Sequence, residues 1–438
     1  MNEDNYSDRV KTLLKKKGIE IFDRIGVKYK TLHLEGILLP RPYVGDRDCL
    51  ILKLDNGYNI GINIVNIDDI WLVKKARKKY LPEVPIKRPV PEDLPTVTII
   101  GTGGTIASRI DYTTGAVYPT FSPEDIYSLV PELSGLARIN VDLLFNIFSE
   151  DMNPKIWEKI AECVYKHIEN GAEGIVIFHG TDTMGYTAAA LSFVLQKLPY
   201  PVVLVGAQRS SDRPSSDTAL NLISAFVTTL YAPFGEVVVV MHAESSDSYA
   251  HVHRGTRVRK CHTSRRDAFK SINSPPLAIV QGKEIKLLEK QYKPRVKRDE
   301  VEFVNGFDDK VALIKFYPGM NPEIIDFLID RGYHGIVIEA TGLGHVGKQL
   351  LKSIDRAIHE NIPIAITSQC IWGRVNLNVY SRGIELLKLG VIPCEDMLPE
   401  TAFVKLSWIL DKTRDMQKVR YLMLKNIAYE ISKRSEFR

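Results

Sequence analysis

Cysteine is sparse in this chain and shows no pairing pattern. The 438 residues include five cysteines, Cys49, Cys163, Cys261, Cys370 and Cys394. They are scattered, odd in number and without a CxxC pair, so neither a disulfide framework nor a zinc site is indicated. Reduced thiols in a cytoplasmic protein are the simplest expectation. Long apolar runs are also missing, and none approaches the roughly 20 residues that span a bilayer. The start, Met1-Asn2-Glu3-Asp4, is acidic and has no apolar h-region, so no signal peptide is expected. The phosphate-loop pattern GxxxxGK[ST] is absent. Gly101-x-Gly103-Gly104 departs from a dinucleotide fingerprint at Ile106, where the third glycine would stand. No nucleotide site is therefore recognisable. Charge is not extreme either: a formal +5 permits a polyanionic partner without requiring one.

What is present is ordinary globular material in several pieces. Hydrophobic residues make up 45% and charged residues 25%, and the length allows two or three domains. Residues 1–85 read as a small β-barrel domain. A short basic helix is expected over 10–21, then β-branched runs at 32–39, 49–54, 58–63 and 67–73. Asp55-Asn56-Gly57 marks a hairpin, because Asn-Gly accepts positive φ at low cost. A basic, proline-rich stretch follows, with the linker proper at 86–95. Its basic run, residues 74–79, reads as a solvated tether; binding RNA phosphate is the competing reading.

From Val97 the pattern alternates strand and helix. Apolar runs at 97–100, 174–178, 201–205 and 236–241 are separated by helical stretches such as 154–170 and 187–198. This predicts a parallel sheet covered on both faces, an α/β domain over 96–285. A charged linker at 286–310 leads to a second α/β domain over 311–438, with runs at 311–316, 335–338 and 363–367. An amphipathic helix is expected over 411–433, from Val419, Leu422, Met423, Ile427 and Ile431.

Two threonines carry the chemical signal. The apolar run Val97-Thr98-Ile99-Ile100 ends in Gly101-Thr102-Gly103-Gly104-Thr105-Ile106. The run Gly174-Ile175-Val176-Ile177-Phe178 ends in His179-Gly180-Thr181-Asp182-Thr183. Ligands of open parallel sheets bind beyond the carboxyl ends of strands, where both turns fall. For one such turn, helix capping would be the better reading. Two turns and a polar segment, Lys260-Cys261-His262-Thr263-Ser264-Arg265-Arg266-Asp267-Ala268-Phe269, change the odds. A threonine hydroxyl needs a base, commonly a lysine, and a carboxylate can orient that lysine. Thr181, Asp182 and Lys260 supply those three groups. His179, His251 and His253 have no third ligand at suitable spacing, so structural roles are expected for them rather than metal binding.

These residues resemble the bacterial-type L-asparaginases. The match runs over Gly103-Gly104-Thr105-Ile106, Ser149-Glu150-Asp151-Met152, His179-Gly180-Thr181-Asp182-Thr183 and the Lys260 segment, in that order. It covers about 95–411 and includes Ile392-Pro393 and Met397-Leu398-Pro399-Glu400-Thr401-Ala402. The added N-terminal β domain and the segment from Arg259 to Phe269 are similar to one branch, the D subunits of archaeal glutamyl-tRNA(Gln) amidotransferases. The resemblance implies an asparaginase-like two-domain fold. It also implies Thr105 as the nucleophile, with Thr181, Asp182 and Lys260 relaying protons. Ser149, Glu150, Gly104 and Gly180 would contact substrate. Many asparaginases have Gln at the position of Glu150. A loop tyrosine, Tyr112 with Tyr118 in reserve, would assist. The turn Gly342-Leu343-Gly344-His345 would lie near the site, where family members contribute from a neighbouring protomer.

The implied function is release of ammonia from Gln or Asn for a partner, the E subunit of such an amidotransferase. That partner would use ATP and Mg2+ to convert Glu-tRNA(Gln) to Gln-tRNA(Gln). A homodimer within a heterotetramer, tRNA contact through the complex, no membrane partner and no cofactor in this chain follow from the same resemblance. Two other readings compete: a free-standing asparaginase, for which the N-terminal domain has no use, and a non-catalytic tRNA-binding scaffold.

Overall fold

A computed structural model describes residues 5–41, 46–54, 59–76, 91–104, 108–110, 117–119, 122–209 and 216–434. Thr105, Tyr112 and the turn Asp55-Asn56-Gly57 lie outside them.

The N-terminal unit opens with the helix Asp8–Lys16, started by Ser7, whose hydroxyl accepts from the Val10 amide. The helix stops short of the expected 21 because Gly18 turns left-handed, at φ 61°. Five antiparallel strands follow. Their order across the sheet is Asn59–Asn63, Cys49–Leu54, Leu32–Leu38, Arg24–Tyr29 and Asp69–Lys74. Cys49–Leu54 and Asn59–Asn63 pair antiparallel, Cys49 with Asn63 and Lys53 with Asn59; the Asn-Gly turn between them lies outside the described residues. The two outer strands are joined by a 3-10 turn, Ile64–Asn66, and both reach one core. That core gathers Val10, Leu14, Ile25, Val27, Leu50, Leu52, Ile62 and Ile70.

The second unit is an eight-stranded sheet. Its parallel part runs Arg138–Leu143, Thr96–Gly101, Gly174–Phe178, Val202–Val205, Val237–His242. Three antiparallel strands, Ala250–Arg254, Ala278–Gln281 and Glu284–Leu287, extend it. The central strands are buried on both faces, which is why they read as unbroken apolar runs. Ile175 and Ile177 pack under the helices Pro154–Glu169 and Met184–Val194, while Val176 and Phe178 face the helix Thr218–Tyr231. The first strand of this sheet, Thr96–Gly101, has the second on one side and the third on the other. The strand order therefore reverses between Thr96–Gly101 and Gly174–Phe178, the switch point at which doubly wound sheets open a crevice.

The third unit has four parallel strands, Val311–Lys315, Gly335–Ala340, Ile364–Ser368 and Ile392–Pro393. Its helix Pro399–Lys412 packs on Met184–Val194, with Phe193 against Trp408 at 5.9 Å and Tyr186 against Phe403 at 6.3 Å. Sandwiched between the sheet and this helix, Met184–Val194 is apolar almost all round.

Two expectations about connections change. The stretch 286–310 is laid along the second unit: Glu302–Phe303 pairs with Leu195–Gln196, and Phe303 stacks on Tyr165 at 4.5 Å. The helix expected over 411–433 is instead the end of Pro399–Lys412 and a separate helix, Met416–Leu424. Thr413 is extended, and Asp415 caps the new start by accepting from the Lys418 amide at 2.8 Å. Ile427 and Ile431 fall beyond the second helix, so their helix-like spacing has no helix under it. Among the described residues no helix is long and apolar enough to cross a membrane.

Candidate active site

The two glycine turns meet at the switch point. The Thr102 amide and hydroxyl both donate to the Phe178 carbonyl, at 3.1 and 2.8 Å, binding the ends of the first and third strands together. Gly103 and Gly104 have φ of 120° and 91°, a region that side chains disfavour. A Cβ on Gly104 would stand 2.7 Å from the Gly180 amide nitrogen, and one on Gly180 would stand 2.7 Å from the Ser149 Cβ. Gly104 thus lies against the Gly180 backbone, and Gly180 against Ser149. Thr183 fixes the third segment by donating to the Ser149 carbonyl at 2.6 Å. Ser149 is buried and Glu150 exposed.

Lys260 closes the group from the short strand Val258–Lys260. Its ammonium donates to Thr181 Oγ1 at 2.8 Å and to Asp182 Oδ1 at 2.7 Å. Three of the four residues singled out for chemistry in the sequence are therefore in mutual contact, although Lys260 lies 79 positions from Thr181. The lysine is largely buried and Asp182 largely exposed, so the carboxylate is the side of the pair open to solvent. The arrangement can move a proton between the threonine hydroxyl and the amine, with Asp182 as counter-charge.

Behind the turn sits His179, fully buried. Nδ1 lies 2.6 Å from the Gly180 carbonyl, which can only accept, so Nδ1 carries the proton. Nε2 then accepts from Thr187 at 2.8 Å, and the same Thr187 oxygen accepts from the Trp157 indole at 3.1 Å. Burial holds His179 down to about 4, so the ring is neutral and props the Gly180 turn. His253 is also buried, bonded through Nδ1 to Ser271, and pushed down by desolvation.

One cluster was not visible in the sequence. Asp142, Cys163 and His167 bring ligand atoms within 4.8 Å of one another. Asp142 Oδ2 is 2.8 Å from His167 Nε2 and 3.4 Å from Cys163 Sγ. Burial pushes the thiol up to about 12, with Asp142 adding to the shift, so it stays protonated and donates to the carboxylate. The three groups satisfy one another as a polar staple between the strand Arg138–Leu143 and the helix Pro154–Glu169.

The turn Gly342-Leu343-Gly344-His345 forms at the end of Gly335–Ala340, closed by Thr341 and His345 backbone bonds. Among the described residues it makes no hydrogen bond to Thr181, Asp182 or Lys260. Sequence reasoning gave no role to Arg259, the neighbour of Lys260, beyond its place in the resembling segment. Its guanidinium pairs with Glu400 at 2.7 Å and Glu339 at 3.6 Å, carboxylates with no sequence proximity to announce them.

Comparisons with known proteins agree in all three units. Residues 96–293 match the family model for asparaginase, N-terminal; 310–423 match the glutaminase/asparaginase C-terminal domain; 19–73 match the GatD N-terminal domain. The D subunit of the glutamyl-tRNA(Gln) amidotransferase from Pyrococcus furiosus is 55% identical, over 97% of this chain and 98% of that one. Its counterpart from Thermofilum pendens is 52% identical over 99% and 97%. The solved thermostable L-asparaginase from Thermococcus kodakarensis superposes with a TM-score of 0.69 at 34% identity. It covers 77% of this chain and 100% of its own. The chain belongs to the family of glutamyl-tRNA(Gln) amidotransferase D subunits, built on an asparaginase fold with an added N-terminal antiparallel domain.

Proposed function

We propose that this chain is the glutaminase component of a tRNA-dependent amidotransferase. It releases ammonia from the side-chain amide of Gln for a partner that amidates Glu on tRNA(Gln). The observation that carries the reading is the Lys260 ammonium, 2.8 Å from Thr181 Oγ1 and 2.7 Å from Asp182 at the sheet's switch point. In this mechanism the Thr105 hydroxyl attacks the amide carbon, the C–N bond breaks, and ammonia leaves with the transferred proton. Water then hydrolyses the acyl-enzyme to glutamate, and Thr181, Asp182 and Lys260 handle its proton. Amides of the glycine turns are the candidate oxyanion donors. Ser149 and Glu150 face the α-carboxylate and α-amino groups, and Tyr112 is assigned an assisting role.

The names of the relatives support a partner in a larger complex. We assign ATP and Mg2+ to that partner, the E subunit, because this chain carries no phosphate-loop pattern. The proposed assembly is a heterotetramer around a homodimer of the asparaginase-like units, working in the cytoplasm.

The test is ammonia release from Gln and Asn, with and without the partner and charged tRNA. Thr105→Ala, Thr181→Ala, Asp182→Ala and Lys260→Ala are each expected to lose about 10²–10⁴-fold in kcat with the fold intact. Wild-type turnover in Thr181→Ala or Lys260→Ala would sink the assignment. The full-length match of the solved L-asparaginase favours a second reading, a free-standing asparaginase. High activity on Asn that ignores the partner would select it.

A further inference from the structure

The strand that delivers Lys260 is gripped from the other side by the C-terminal unit. Side chains alternate along a strand, so 258 and 260 leave one face while 257 and 259 leave the other. Val258 enters the core of the second unit and Lys260 reaches Thr181. Arg257, buried, donates to the Asp396 carboxylate at 3.1 Å, to the Tyr429 carbonyl at 2.8 Å and to Ser432 at 2.9 Å. Thr256 donates to the Ala428 carbonyl and accepts from Thr401 through its own carbonyl. Arg259 holds Glu400 on the helix Pro399–Lys412 and Glu339 on the strand Gly335–Ala340. The partners named for Thr256, Arg257 and Arg259 all belong to the C-terminal unit or its tail.

Resting on the glutaminase reading, we propose that Arg259 is a positioning residue for Lys260. Glu400 and Glu339 of the C-terminal unit set its place, so movement of that unit reaches the catalytic amine across one peptide. Glu400 has no other polar partner among the described residues: its Oε1 accepts from Arg259 and its Oε2 is buried without a bond. A partly buried carboxylate kept for one arginine, directly beside Lys260, ties the second and third units at the point where a small shift matters most. A displacement of about 1 Å at a catalytic group can cost on the order of 10²-fold. This is also the route by which a partner seated on the C-terminal unit would raise or lower ammonia release.

The experiment compares the full-length wild type with Arg259→Ala, Arg259→Lys and Glu400→Gln in glutamine hydrolysis, with thermal melts alongside. Arg259→Ala and Glu400→Gln are expected to lower kcat roughly 10- to 100-fold while KM stays within about twofold. The double variant should be no worse than either single one, because both act through one contact. Arg259→Lys, which keeps a charge for Glu400, should recover much of the loss. Near-wild-type kcat in both single variants overturns the proposal. So do losses that follow the melting temperature, are additive and are not rescued by lysine. If Arg259→Ala does not fold, Glu400→Gln and Arg259→Lys decide the matter. An inactive wild type, with or without partner, fails the glutaminase reading itself, a result distinct from an active wild type indifferent to Arg259.

Discussion

Gly104 and Gly180 occupy positions where any side chain would collide with the backbone or side chain that forms the site. Gly104→Ala adds a Cβ 2.7 Å from the Gly180 amide at a φ of 91°, so backbone strain and a clash coincide. It is expected to cost at least about 1–3 kcal/mol in chemical denaturation and to abolish ammonia release. Gly180→Ala presses on Ser149 instead, so KM for Gln should rise more than stability falls. Equal KM in that variant would detach Ser149 from substrate. His179 gives a pH signature. Its folded value of about 4 lies below the ordinary 6.5, so the unfolded chain binds the proton more readily between those limits. Its contribution is complete above about 6.5 and is lost as pH falls towards 4, roughly 3 kcal/mol in all. His179→Gln should flatten the fall of stability over that window, read by denaturant titration at several pH values. An unchanged slope would mean that His179 does not titrate there.

At the scale of elements, the turns were legible because their chemistry is local. Glycine opens φ that side chains disfavour and proline fixes it, whatever the surrounding fold, so the turns after 100 and 178 could be placed without one. The tail could not. Val419 and Met423 are buried at helical spacing, but Ile427 and Ile431 continue the period into a segment held by tertiary bonds. Lys405 organises that segment from a fully buried position. It donates to the Met423 and Lys425 carbonyls and ion-pairs with Glu430. Glu430 in turn accepts from the Ile427 and Ala428 amides. Lys405→Met strands a buried carboxylate and is expected to cost about 3–5 kcal/mol. Proteolysis within 425–434 should accelerate, and adding Glu430→Gln should restore part of the loss. Unchanged protease resistance would show that the tail is held by its apolar contacts alone.

For the whole molecule, the C-terminal unit leaves Ile371, Trp372, Val379 and Tyr380 exposed within one short stretch. Clustered apolar side chains on a surface mark an interface. We expect the full chain to run as a dimer by light scattering, and Trp372→Glu to shift it towards monomer at micromolar concentration. A wild-type monomer would count against dimerisation through this face. Ammonia release that rises on adding the partner with charged tRNA is the expected result at the level of the complex. The amino-acid order by itself indicated three units, the apolar strands, the two glycine turns and the candidate reactive groups. These depend on local sterics, periodicity and side-chain chemistry. The three-dimensional packing alone decided that the two turns abut, that Lys260 reaches Thr181 and Asp182, and that Arg259 turns away to Glu400 and Glu339. Those contacts join positions up to 141 residues apart, and their energies exist only once the sheet order has brought the strands side by side.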